Sequence, residues 1–206
     1  IREISVGDQY GKINAPVRLV STVETKPLQK DEGFIKKLLN KIPFLNVNKS
    51  RIMASGYLLY EGVADKINYV EFFEELNLPD TFYSWFVITE LHIWMISVRA
   101  MAEGDAGRML RNYLVEALWA DVQQRVKKLG ASNPAVARLQ IAELSEQLQA
   151  AIIGYDEGLQ SDDTILAGAL WRRFYQQGEV EPSCLNRLVK YTRRHVSGYY
   201  FNQSIL

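Results

Sequence analysis

One stretch constrains this chain more than any other: residues 80–104, DTFYSWFVITELHIWMISVRAMAEG, whose first two thirds are apolar on nearly every side of a helical wheel. Asp80 follows Pro79 and is the expected N-cap, and no glycine or proline intervenes before Gly104. Phe82, Phe86, Thr89, Ile93 and Ile96 form one row at helical spacing; Trp85, Ile88, His92, Met95 and Arg99 form another. The distinctly polar line at heptad spacing is Tyr83, Glu90 and Ser97. A helix apolar almost all round is either the centre of an α-protein or embedded in a membrane. A span needs about 18 or more consecutive apolar residues. Here Glu90 and His92 fall at the middle, where ionisable groups are costly. The expectation is a buried central helix that needs neighbours on every side.

The flanking sequence supplies them. Asn48 can cap a helix through Ile52, Tyr57, Leu59, Tyr60 and Val63, and Asn68 with Glu71 resembles a capping box for residues 69–76. Gly104 and Gly107 are expected to make a tight turn into a helix over residues 108–129, with Leu110, Leu114, Leu118, Val122, Val126 and Leu129 as its stripe and Gly130 at C′. Asn133-Pro134 opens a helix carrying Val136, Leu139, Leu144, Leu148, Ile152 and Tyr155, with Gly158 as its stop. Ser161, Asp162 and Asp163 open the next, with Ile165, Leu166, Ala169, Leu170 and Phe174, and Gly178 closes it. Pro182 starts the last, bearing Leu185, Leu188, Val189, Thr192 and Val196 and tailing off after Gly198.

The predicted fold is all-α: six to eight helices around the buried central helix, in a single domain over residues 28–206. Residues 1–27 hold two glycines, two prolines and one short β-like run at 17–20, and read as an extended arm. Between them a basic amphipathic segment, Phe34, Ile35, Leu38, Leu39 and Ile42 against Lys36, Lys37 and Lys41, reads as a packed helix with its lysines in water; a membrane surface or a partner is the alternative. The chain opens on Ile1 rather than Met, so an upstream segment is expected, a targeting signal among the candidates.

Twenty-four basic and 24 acidic residues cancel, so attraction to a polyanion must come from a local patch. One cysteine, Cys184, excludes an internal disulfide framework and fits a reducing compartment. His92 and His195 belong to no HExxH, and the Glu-x-x-His pairs of a di-iron bundle are absent, since Glu90 and His92 are two apart and point away from each other. Trp85, His92 and Arg99 share a face at seven-residue spacing and read as a structural polar seam, Arg99 calling for an acid such as Glu116 or Asp121. Asp156, Glu157, Asp162 and Asp163 lack EF-hand spacing and suit a helix N-terminus. No Walker A, GxGxxG, GxSxG or zinc-spaced cysteine set occurs. Neither catalysis nor a resident cofactor or metal is expected; a haem-linked bundle through His92 is one alternative.

One charge cluster stands out. Arg187, Lys190, Arg193, Arg194 and His195 lie in residues 185–206 with no acid, interleaved with Tyr191, Tyr199, Tyr200 and Phe201, while Trp171, Arg172 and Arg173 precede them. Such a set suits RNA phosphates and bases or an acidic protein surface, and equally a solvated helix face with its tyrosines turned inward.

Three blocks carry a resemblance: DTFYSWFVITELHIWMISVRAMAEG, then RMLRNYLVEALWADVQQRVKKLG, then AAIIGYDEGLQSDDTILAGALWRRF. In that order, within residues 51–174, they are similar to the ubiquinol–cytochrome c chaperone family. The group Trp85, His92, Trp94 and Arg99 and the run Trp171-Arg172-Arg173 match its motifs. The resemblance implies a non-enzymatic complex III assembly factor in mitochondria, on the matrix side of the inner membrane. It implies binding of newly made cytochrome b with a smaller partner protein near the exit of the mitochondrial ribosome. Peripheral contact with the inner membrane is compatible with it; DNA is not an expected partner. Trp171, Arg172, Arg173, Arg187, Lys190, Arg193 and Arg194 are the expected partner-binding residues.

Overall fold

The computed structural model describes residues 49–128 and 134–201, and every statement of presence or absence below refers to these. The N-terminal arm, the basic segment at 34–42, Asn48 as a cap, Leu129 and Gly130 lie outside them. So do the side chains of Tyr199, Tyr200 and Phe201.

Seven helices are described: α1 (Lys49–Lys66), α2 (Tyr69–Glu75), α3 (Phe82–Met101), α4 (Gly104–Lys128), α5 (Pro134–Gln160), α6 (Asp163–Phe174) and α7 (Pro182–Phe201). No strand is present among the described residues, and the helices pack as one domain. The all-α expectation and its helix count hold.

α3 is the centre. Every residue from Ser84 to Ser97 is buried, which its sequence demands, because no face of it is polar enough to meet water. Phe86, Val87, Ile88 and Leu91 have no exposed surface at all. No described helix is long and apolar enough to cross a membrane. Neighbours surround α3: α1, α2, α4, α6 and α7 pack against it, and α5 reaches it through Trp94–Asp156 and Tyr155–Glu90. α1 runs parallel to α4, as the pairs Tyr57–Glu116 (3.2 Å) and Tyr60–Asp121 (2.6 Å) show. α5 and α6 form an antiparallel hairpin in which Gly158 abuts Leu166 and Gly154 abuts Ala169.

The ends depart from expectation in instructive ways. α3 is capped by Thr81, not Asp80: Thr81 is extended and its hydroxyl accepts from the Ser84 N–H at 3.2 Å. Asn68 caps α2, accepting from the Glu71 N–H, while its own Nδ2 donates to the Glu71 carboxylate. Gly104 does turn the chain, at φ +65°, but α4 already starts there and Gly107 is helical. Gly158 lies inside α5, its missing side chain filled by Leu166. α6 stops at Phe174 rather than Gly178, because Gln176 and Gln177 take left-handed backbone angles. Asp162 caps it as expected, accepting from the N–H groups of Thr164 and Ile165. Ile165, assigned to its apolar stripe, is 42 % exposed, as are Val136 and Leu139 of α5 to 47 % and 57 %.

Candidate functional site

A groove of about 950 Å³ opens between the middle of α5, residues 140–154, and the second half of α6 with the turn after it, residues 169–177, closed at one end by the start of α3 and the end of α4. Its apolar lining is Phe82, Val126, Ile141, Leu144, Ala151 and Ala169; its rim is Gln140, Glu143, Gln176, Gln177 and Arg172. α5 forms one wall because its first half is hardly covered: from Ala135 to Glu146 no described side chain is buried.

Beneath the groove lies a buried ion pair. Arg173 Nε donates to both Glu90 carboxylate oxygens at 2.9 and 3.1 Å, and Nη2 donates to Oε2 at 2.6 Å. Arg173 Nη1 donates to Gln147 Oε1 (2.7 Å) and to the Tyr83 hydroxyl (3.3 Å), while Tyr83 donates back to the Arg173 carbonyl (2.6 Å). Tyr155 donates to Glu90 at 3.1 Å. Burial pushes the Glu90 carboxyl up from its ordinary value, and the Arg173 guanidinium and the Tyr155 hydroxyl pull it back. The network ties α3, α5 and α6 together where they frame the groove. The sequence had marked Glu90 as an ionisable group in an apolar helix without naming its partner, and had placed Arg173 among surface cations.

The other expected partner-binding residues separate into two kinds. Arg172 is exposed, its guanidinium lying over Gly168 and Gly154, and lines the groove. Lys190 and Arg194 are exposed on α7. Trp171 is tied down by Nε1 donating to the Gly178 carbonyl at 2.8 Å. Arg187 reaches Glu75 at 3.4 Å on the surface, a pairing worth little. Arg193 instead closes the α5–α6 corner, donating to the carbonyls of Leu159 (2.6 Å), Gly158 (3.0 Å) and Ser161 (2.6 Å) and to Asp163. Those carbonyls end α5 and have no partner within the helix, so Arg193 acts as its cap.

Trp85, His92 and Arg99 do not meet a common partner. Trp85 lies under the Arg125 guanidinium, 4.1 Å from the ring centroid. Arg99 ion-pairs with Glu103 at 3.1 Å, four residues on in the turn that follows α3; Glu116 is bonded by Tyr57, and Asp121 by Tyr60 and Arg125. His92 is 8 % exposed, with Nδ1 2.7 Å from the Ile88 carbonyl and Nε2 2.7 Å from the Tyr191 hydroxyl. Nδ1 is therefore assigned the proton and donates, and Nε2 accepts. Both nitrogens are engaged, which counts against the haem-ligand alternative. Among the described residues no group of three or more His, Cys, Asp or Glu side chains could hold a metal ion.

His92 yields a pH prediction. Burial lowers its value from 6.5 to about 4. Between those values the unfolded chain binds a proton that the folded protein does not, so stability should fall as pH drops from about 6.5 towards 4. At pH 5 the expected cost is about 2 kcal/mol. Urea unfolding at pH 7 and pH 5 checks this. A His92→Gln variant should lose less on acidification than the parent, by about that amount.

The geometry defines a grooved all-helical scaffold. The sequence pattern of the ubiquinol-cytochrome C chaperone family matches residues 74–198, so it reaches through most of α7, beyond the blocks quoted above. The chain is 50 % identical over 201 residues to ubiquinol-cytochrome c reductase complex assembly factor 1 of Drosophila melanogaster, a match covering 91 % of this chain and 78 % of the fly protein. It is 37 % identical over 184 residues to the Homo sapiens protein of the same name, covering 87 % of this chain but 61 % of the human protein. With Protein CBP3, mitochondrial, of Saccharomyces cerevisiae it shares 37 % identity over 106 residues, covering 50 % of this chain and 32 % of the yeast protein. No solved structure matches the chain. The chain belongs to the ubiquinol-cytochrome C chaperone family.

Proposed function

We propose that this protein is a mitochondrial assembly factor for complex III, which binds newly made cytochrome b together with a smaller partner protein on the matrix side of the inner membrane. The observation that carries the reading is its 50 % identity over most of its length to a ubiquinol-cytochrome c reductase complex assembly factor. The groove supports it physically. A partly folded client or a partner helix needs a rigid concave surface with apolar walls, and four helices braced by the Glu90–Arg173 network provide one. The protein works by holding polypeptide, with no reaction of its own. Removing it from cells should deplete complex III while cytochrome oxidase and ATP synthase keep their normal levels. Equal loss of all three would refute the assignment.

A second contact is supported by the exposed cations on α7. Lys190 and Arg194 would meet phosphates at the mitochondrial ribosome exit or the membrane surface. Reversing both to Glu should reduce cosedimentation with ribosomes without loss of helicity; unchanged cosedimentation would remove this contact. Arg193 is unsuitable for that test, because reversing it would place a carboxylate against three carbonyl oxygens.

A further inference from the structure

We infer that the corner where α3 turns into α4 takes a carboxylate side chain from a partner protein, received by the guanidinium of Arg111. The site stands apart from the groove and from the exposed cations of α7, and the argument for it does not depend on which client the protein serves.

The first argument is a missing counter-charge. Arg111 is 7 % exposed, two turns into α4. Its Nε and Nη2 donate to Asn112 Oδ1 at 3.3 and 3.0 Å, and Nη1 donates to the Met101 thioether at 3.5 Å. Both acceptors are neutral, and a thioether is a weak one. Among the described residues no carboxylate pairs with it. Burial lowers its value from the ordinary one, and the charge that acts on it is Arg108, of its own sign. The acids nearby are engaged elsewhere: Glu103 by Arg99, Asp105 by Arg108, and Glu116 by Tyr57. A buried cation is ordinarily paired, and this one is complete only when an anion arrives from outside.

The second argument is what the corner offers that anion. A guanidinium has five N–H groups, and three of these are used. Two remain for an acceptor. Arg111 can only donate, so the Asn112 atom it meets is the amide oxygen, and the exposed Asn112 Nδ2 stands beside the guanidinium as a further donor. The first turn of α1 packs here, through Ile52 against Ala100 and Leu110; it carries Lys49 and Arg51 and no acid. The described corner thus holds Lys49, Arg51, Arg99, Arg108 and Arg111 against Glu103 and Asp105, a field that draws in a negative group.

Depth decides which anion. A lipid surface or a nucleic-acid backbone presents phosphates on a broad front, and would meet the exposed Lys49 and Arg108 while Arg111 stayed out of reach. An Asp or Glu side chain carries its two oxygens on a slender stem, and those oxygens match a planar guanidinium.

The test uses the full chain. Zero-length carbodiimide coupling joins an amine to a carboxylate in contact with it, and Arg111→Lys supplies the amine. After coupling in gently lysed mitochondria, mass spectrometry should find position 111 joined to an Asp or Glu of another protein. With Arg111 restored, changing that acid to its amide should lower recovery of the partner about tenfold, as should Arg111→Met. Purified Arg111→Met should melt at the parent's temperature or up to about 4 °C above it, since it removes an unpaired buried charge. A lower melting temperature would make Arg111 a brace of its own corner and overturn the inference. So would coupling to a carboxylate of this same chain, no adduct at all, or an adduct whose acid can be neutralised without loss of the partner. Inorganic phosphate that raises the melting temperature of the parent and not of Arg111→Met, with no adduct, would assign the corner to a phosphate instead.

Discussion

Arg173→Ala should destabilise the protein by about 3–5 kcal/mol, because it leaves the Glu90 carboxylate buried without a counter-charge. Glu90 has no exposed surface, and Arg173 supplies three of its four described hydrogen bonds. The remaining donor, Tyr155, is neutral and cannot offset the lost solvation. The loss should appear as a lower urea midpoint with an unchanged denaturant slope. Two controls separate an orphaned charge from simple loss of packing. Acidification should narrow the gap between parent and variant: a carboxyl whose folded value is raised above its unfolded value gains relative stability as pH falls and it takes up a proton. Removing both charges in an Arg173→Met, Glu90→Leu double variant should cost far less than Arg173→Ala, since an apolar pair of similar volume often replaces a buried ion pair without loss.

Gly107→Ala should be the other severe substitution. A Cβ there would stand 1.7 Å from the Ala100 carbonyl oxygen and 2.7 Å from its carbon, and both are backbone atoms that no rotamer change can move. The last turn of α3 and the first turns of α4 would have to separate at the point where Ala100 and Leu110 pack with no exposed surface. The expected cost is at or above the top of the usual overpacking range of about 1–3 kcal/mol. For a chain this size that lowers the melting temperature by about 6 °C or more. Gly62→Ala is the matched control. It is also helical, but nothing lies within 4 Å of the added carbon, so it should gain up to about 1 kcal/mol from lower unfolded-state freedom.

These two sites show what the sequence disclosed and what it withheld. The buried central helix was legible because its composition permits no other environment: an apolar face in every direction fixes burial without any knowledge of neighbours. The N-caps of α2, α3 and α6 were legible to within a residue. Asp80 and Thr81 are both suitable caps, and the choice fell to the residue whose backbone is extended and whose hydroxyl reaches Ser84. Glycines were misread for a physical reason. Gly107 and Gly158 do not break the chain; they are close-approach sites inside helices, and a sequence presents the same letter for both uses.

The groove itself was not legible, since it is assembled from four helices brought together over nearly a hundred positions of sequence. Its braces were half visible. An acid inside an apolar helix demands a buried cation, but 83 residues separate Glu90 from Arg173, and Arg172 beside it is the same residue type. Helical phase decides between them: Arg173 turns into the protein with Phe174 and Leu170, while Arg172 turns out to the groove. Similarly, Arg193 belongs to a basic cluster in the sequence, yet in the fold it serves the carbonyl end of α5.

The claim on which the account depends is that this scaffold holds cytochrome b during complex III assembly. Its most direct measurement is purification of the protein from mitochondria after pulse-labelling of organelle translation, followed by separation of the labelled products. Cytochrome b should be enriched over every other labelled product, and chase with unlabelled amino acids should release it. Recovery of all labelled products in their input proportions, or of none, would contradict the account.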